Sequence, residues 1–287
     1  MYKLRDWIPL DKLEWTALSI NPNAVDMIEQ NISRINWYLI SENRNAISIL
    51  YDNMNKIYWN RTSNNPGAIH MLENHPYYIN WYELSSNPAA ISLLEKHPNY
   101  IFWSKLSLNP SAIHLLEKNI NKINWFNLSS NPNAISLLET YPEEIDWDNL
   151  SGNPNAISLL KKNMDKINWT RLSANHNAIS LLEKEPHKID WCALSSNKNA
   201  ISLLEKNMDK VDPIQLSTNI NAMELLRRNP DKIDWFRLSA NPAIFIYDYQ
   251  KMRETNDIFK EELIATVYHP NRFERYLLEY DYDMNDM

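Results

Sequence analysis

IDWDNLSGNPNAISLLKKNMDK, residues 145–166, holds a tryptophan, a Ser-x-Asn-Pro corner and a short apolar run, and nearly the same words precede and follow it. The period is read off tryptophan. Trp15, Trp37, Trp59, Trp81, Trp103, Trp125, Trp147, Trp169, Trp191 and Trp235 fall on one 22-residue spacing, whose single vacancy is filled by Pro213. A fixed period of this length marks a stacked repeat architecture. The chain divides into an N-terminal cap (1–14), an array of eleven repeats (15–242), and a C-terminal helical cap with an acidic tail (243–287).

With Trp as phase 1, the consensus is W-x-x-L-S-x-N-P-N-A-I-S-L-L-E-K-N-x-x-K-I-D. Ser at phase 5 and Asn at phase 7 occur in all eleven copies, as in Ser129, Asn131, Ser151 and Asn153. Apolar residues at phases 10, 11, 13 and 14 form one stripe of a helix. Asn at phase 7 followed by Pro reads as that helix's start, because Pro at the first helical position loses nothing by lacking N–H. Pro76, Pro98, Pro142, Pro186 and Pro230 at phase 18 stop it. Asp or Asn at phase 22 caps a second, shorter helix that carries Trp and Leu at phases 1 and 4 in eight of ten junctions.

The expected fold is therefore all-α, a right-handed α-solenoid of about eleven two-helix repeats with capping segments. The alternative is a leucine-rich-repeat-like solenoid. That motif needs L-x-L-x-x-N, a strand's step of two, whereas Trp, Leu and Asn here are three apart, and two glycines supply few β-turns. Helices this short need stacking for stability. The tryptophans are expected to form a buried aromatic spine, each removing about 150–250 Å² from water. An open stack of eleven layers would extend on the order of 100 Å, with its ends shielded by the caps. After Pro242 one residue is missing from the pattern and Ala243 takes the alanine role early; IFIYDYQKM and EELIATVYHPNRFERYLLEY read as helices. Pro213 should leave the least well filled junction, repaired by Ile214 and Met223.

The formal charge is −7 with mixed signs, which argues against a general nucleic-acid binder. One cysteine, Cys192, permits no intramolecular disulfide. The charged start has no secretory h-region, and no apolar run reaches membrane-spanning length, so a soluble intracellular protein without membrane attachment is expected. The seven histidines form no zinc-spaced cluster, and no phosphate loop or nucleophile motif occurs. No enzyme, cofactor, metal or small-molecule substrate is expected.

The constant letters build the stack, so binding should reside where copies differ. Phases 2 and 3 place Tyr38, Tyr82, Phe126 and Phe236 beside Arg61, Lys105, Arg171 and Arg237, residue types that dominate protein interfaces. Phase 20 supplies a basic stripe (Arg34, Lys56, Lys122, Lys166, Lys188, Lys210, Lys232) and phase 15 its glutamate complement.

The K-I-N-W-x-x-L-S-x-N-P-N-A-I-S-L-L-E-K-N block, clearest at residues 122–141 and 166–184, resembles short-repeat proteins of giant DNA viruses of amoebae and algae; Val267 to Glu279 resembles their ending. The resemblance implies a host-cytoplasm or virion location and no catalytic residues. The function expected is a non-enzymatic scaffold binding a host or viral protein along its variable surface. The alternative is a structural component of virion or particle assembly.

Overall fold

In the computed structural model, residues 1–267 are described, and they form two units: Arg5–Ile244, and Met1–Leu4 together with residues 245–267. The larger unit is an all-α repeat solenoid. Each repeat has a first helix starting at phase 1 (Trp147–Gly152), the first ten also a second starting at phase 11 (Ile157–Lys162), and nine of these ten a 3-10 turn over phases 18–20 (Met164–Lys166). The strands among the described residues, β1 (Tyr2–Leu4) and β2 (Phe245–Tyr247), lie outside the repeats, which removes the leucine-rich-repeat alternative.

The junction cap is as the sequence predicts. Asn36, Asn80, Asn124, Asp146, Asn168, Asp190, Asp212 and Asp234 each accept at the side chain from the N–H three residues on. Asn at phase 7 does something else. Its Oδ1 accepts from the N–H two residues on (Asn133 to Asn131, 3.0 Å), closing an Asx turn, and the second helix starts only at phase 11 behind an alanine without a side-chain cap. The 3-10 turn, unforeseen, follows a phase-17 side chain that donates to the carbonyl four residues back (Asn163 to Leu159, 3.0 Å), satisfying one of the helix's last acceptors.

The core is Leu at phase 4, Ala at phase 10 and Leu at phase 14, as in Leu150, Ala156 and Leu160, each 0% exposed. The tryptophans are not a buried spine: all ten are partly exposed. Eight of them are covered by the phase-20 residue of the same repeat, whereas Trp125 meets Tyr141 of phase 17. Arg34 lies over Trp15 (4.2 Å), and Lys56, Lys122, Lys166, Lys188 and Lys210 lie over Trp37, Trp103, Trp147, Trp169 and Trp191; Tyr78 and Tyr100 stack on Trp59 and Trp81 instead. The basic stripe thus serves the indoles as cation–π lids. Among the described residues none of these cations pairs with a phase-15 glutamate; Lys188 pairs with Glu185.

Constant polar residues tie each repeat to its neighbours. Ser at phase 5 donates to the phase-1 carbonyl and accepts the N–H of phase 22 (Ser129 to Trp125, 2.8 Å; Asp146 to Ser129, 3.0 Å). The amide of Asn131 donates to the carbonyls of Ser107 and Asn109 in the preceding repeat, both at 3.0 Å. Repeat 1 makes the same bonds to repeat 11. Asn21 donates to Ser239 (2.9 Å) and Asn241 (3.0 Å), Asn23 to Pro242 (3.0 Å), and the N–H of Glu14 to Ser239 Oγ (2.9 Å). The first helices of repeats 1 and 11 pack together like any neighbouring pair. The array is a closed ring. The open extension and the end-shielding caps expected from the sequence are therefore overturned: the terminal faces bury each other.

No residue is missing after Pro242. Ile244 takes the alanine place, 0% exposed and donating to Asn241 as the alanines do, while Ala243 occupies the Asx-turn position. At Pro213 the ladder is intact, because Ser217 needs only the carbonyl of phase 1 (2.8 Å). Met223 is buried there, but Ile214 is exposed and fills nothing.

In the smaller unit β1 and β2 pair antiparallel, Tyr2 opposite Tyr247, Lys3 opposite Ile246 and Leu4 opposite Phe245. Phe-Ile-Tyr, expected as helix, is strand because an extended partner is present to pair with it. A helix, Tyr249–Val267, follows. His269, most of the Val267–Glu279 stretch and the acidic tail lie outside the described residues.

Candidate functional site

The ring has two layers. Most consecutive first helices pack on one another, whereas among the described residues no two second helices approach comparably; repeats are thus wedges, narrow at the first helix. The narrow edges face inward. The exposed stripe of the first helix, phases 2, 3 and 6, consequently lines a central lumen, with phase 8 at its rim. A cavity of about 370 Å³ agrees, since it is lined by phases 6 to 8 of four consecutive repeats, from Ile20 and Pro22 to Pro88. Axes spaced by about 8–10 Å leave a lumen roughly 16–25 Å across between helix surfaces.

The sequence-predicted partner residues all fall on this wall. Tyr38, Tyr82, Phe126 and Phe236 are 41–57% exposed. They also fill grooves between neighbours. Tyr38 meets Tyr58 edge-on, and Arg61 of the next repeat lies over its ring at 4.6 Å while pairing with Glu42. Tyr82 repeats the arrangement with Phe102 edge-on and Lys105 above at 4.5 Å, the ammonium also 3.2 Å from Glu83. Phe236 has its neighbour Arg237 over it at 5.8 Å. Tyr58 and Phe102, at phase 22, are the wall residues that sequence reasoning missed; the signal was an aromatic in place of the usual Asp or Asn.

Ladder and wall differ in chemistry. Among the described residues the ladder's Ser and Asn side chains find partners within the ring. Arg171 and Arg237 on the wall and Arg44 and Lys198 on its rim are exposed and form no ion pair among the described residues. Wall acids are Glu42 and Glu83, both paired, Asp148, which accepts from Asn168, and at phase 22 the helix-capping Asp146, Asp190, Asp212 and Asp234. His176 stands on the rim in the next repeat to Lys198; burial, then that ammonium, lowers its pKa below the ordinary 6.5.

Outside the wall, His75 bonds the Met71 carbonyl at 2.9 Å and His114 meets Glu95 at 3.0 Å. Cys192 is exposed, its thiol pKa raised first by burial and then by Asp212 and Asp190, the opposite of an activated nucleophile. Among the described residues no group of three or more His, Cys, Asp and Glu is placed to hold a metal ion, and no helix is long and apolar enough to cross a membrane.

No curated protein and no solved structure gives a significant match to this chain. A family model described as periplasmic copper-binding protein (NosD) matches residues 69–212, half of the chain. That span runs from the second helix of repeat 3 to the end of repeat 9 and consists only of repeat units. By that match the chain belongs to the NosD family.

Proposed function

We propose that the ring is a non-enzymatic scaffold that binds a protein partner through its inner wall. The observation that carries this reading is the exposure of Tyr38, Tyr82 and Phe126 on the wall, where aromatic residues give large contact area at low entropic cost. The copper in the family's description is not part of the reading, because the described donor residues do not fit a metal ion. Closure also favours binding over a structural role in a particle, since end-to-end assembly would use terminal repeat faces that here cover each other.

The test is capture from an extract of the native cells, comparing wild type with the Tyr38→Ala, Tyr82→Ala, Phe126→Ala triple variant at matched helicity. Loss of one retained protein from the variant supports the reading. A retained set identical for both proteins overturns it.

A further inference from the structure

The 3-10 turns of phases 18–20 follow one another around the ring as a band, at the end of the first helices that carries Trp and away from the Asn corner. In repeats 3 and 4 that band changes character. Tyr78 and Tyr100 replace the cation lid and lie nearly parallel to Trp59 and Trp81, at 11° and 20° with ring centroids 4.6 and 4.8 Å apart. Each tyrosine is 54% exposed although an indole covers one of its faces, so the other face is open to water. Tyr77 beside them is 100% exposed. At phase 19, repeats 2, 4 and 5 carry Asn55, Asn99 and Asn121, all exposed and without a side-chain hydrogen bond among the described residues. The equivalent residues of repeats 6, 7, 9 and 10 are acids: Glu143, Asp165, Asp209 and Asp231.

We infer that this arc binds a neutral oligosaccharide chain, its sugar rings lying on Tyr78 and Tyr100 and its hydroxyls bonding to the phase-19 amides. This is a second site, on the band and not on the wall, and it does not rest on the protein-binding reading. A pyranose presents axial C–H groups on its faces, and their partial positive charge is attracted by the negative face of an aromatic ring. The indoles hold both tyrosines in place before binding, so stacking on them costs little side-chain entropy. Free primary amides donate and accept, as sugar hydroxyls do. The step between the tyrosines is at least the helix spacing of about 8–10 Å. That is longer than one sugar ring, so the two platforms require a chain and not a monosaccharide. Phases 17–20 of repeats 3 and 4 hold no Lys, Arg, Asp or Glu, and Glu73, Glu95 and Lys96 at the neighbouring helix ends are of mixed sign. An uncharged ligand is indifferent to both facts. Nucleic acid fits less well, because platforms for bases come with cations that track phosphates, and the cations flanking this arc, Lys56 and Lys122, lie over their own indoles.

The test is calorimetric titration of the full chain with cellohexaose, chitohexaose, maltohexaose and laminarihexaose, and with oligothymidylate. At least one hexasaccharide should bind saturably, with an affinity unchanged by salt. The comparison is the Tyr78→Lys, Tyr100→Lys variant. It gives repeats 3 and 4 the lid that Lys166 forms over Trp147, so the indoles stay covered while the flat faces are removed. Affinity should fall about tenfold, as for the loss of two aromatic platforms, at an unchanged melting temperature. Should that variant lose stability, Asn55→Ala, Asn99→Ala, Asn121→Ala, at exposed positions without hydrogen bonds, decides in its place by the same loss of affinity. Absence of binding by all four hexasaccharides, or an affinity indifferent to these substitutions, overturns the inference. Tighter binding of oligothymidylate that weakens with salt also overturns it, in favour of nucleic acid.

Discussion

Asn131 and Asn21 make the same two hydrogen bonds to a neighbouring repeat, although for Asn21 that neighbour is 218 to 220 residues away in sequence. Phe126 and Thr16, five residues before each of them, share neither chemistry nor contacts. The ladder at the Asn corner repeats from junction to junction, with one of its two amide bonds missing only at Asn87; the wall beside it differs at every repeat. A position whose side chain is consumed by inter-repeat bonding has no freedom to vary. A position that faces solvent across a lumen carries no such load.

The sharpest way to break the comparison is at the ladder itself. Asn131→Asp keeps the shape but turns a donor of two hydrogen bonds into a carboxylate facing two carbonyls, and should cost about 3–5 kcal/mol in chemical denaturation. Asn21→Asp should cost as much if the ring is closed in solution; a much smaller loss would mean that the junction of repeats 11 and 1 stands open. Ser129→Ala leaves the N–H of Asp146 without its acceptor and should cost about 1–3 kcal/mol.

Next come the indole lids. Lys166→Gln removes the ammonium over Trp147 at 4.5 Å and should lower stability by about 0.5–1 kcal/mol, with a change in tryptophan fluorescence. Single alanine changes at the exposed wall rings should cost less than the Asn substitution does, because solvent already covers much of each ring.

The smallest effects are in pH. The depressed pKa of His176 favours its neutral form in the folded ring, so stability is lost as pH falls below the ordinary 6.5. His176→Pro, which restores the residue most common at phase 8, should flatten that loss. The Glu224 carboxyl is held at about 2, first by its hydrogen bond from Arg227 and then by Arg228, so its contribution is present above pH 4.5 and fades toward pH 2. This pair is fully exposed and salt should screen it.

The local elements were legible because their signals are local. Asp146 caps the helix beginning at Trp147 three residues from its partner, and the constancy of Ser and Asn announced a structural duty before any bond was known. The angle between repeats was not legible. It is the sum of small differences in spacing between first and second helices, and no single residue carries it, so ring and open stack share one pattern of letters. The indole lids were missed for a related reason: Lys166 and Trp147 are 19 residues apart and meet only after the chain has turned twice. Phe126 and Arg171 could be picked out as variable, but which way they face follows from closure alone.

An open solenoid can gain or lose a repeat at either end and keep every junction it had. Here eleven wedges complete one circle, a mean rotation of about 33° each. A duplicated repeat would ask every junction for about 30° instead, spreading the misfit over all of them. Copy number is therefore a property of the ring as a whole, and selection acting on any one repeat is also acting on the count.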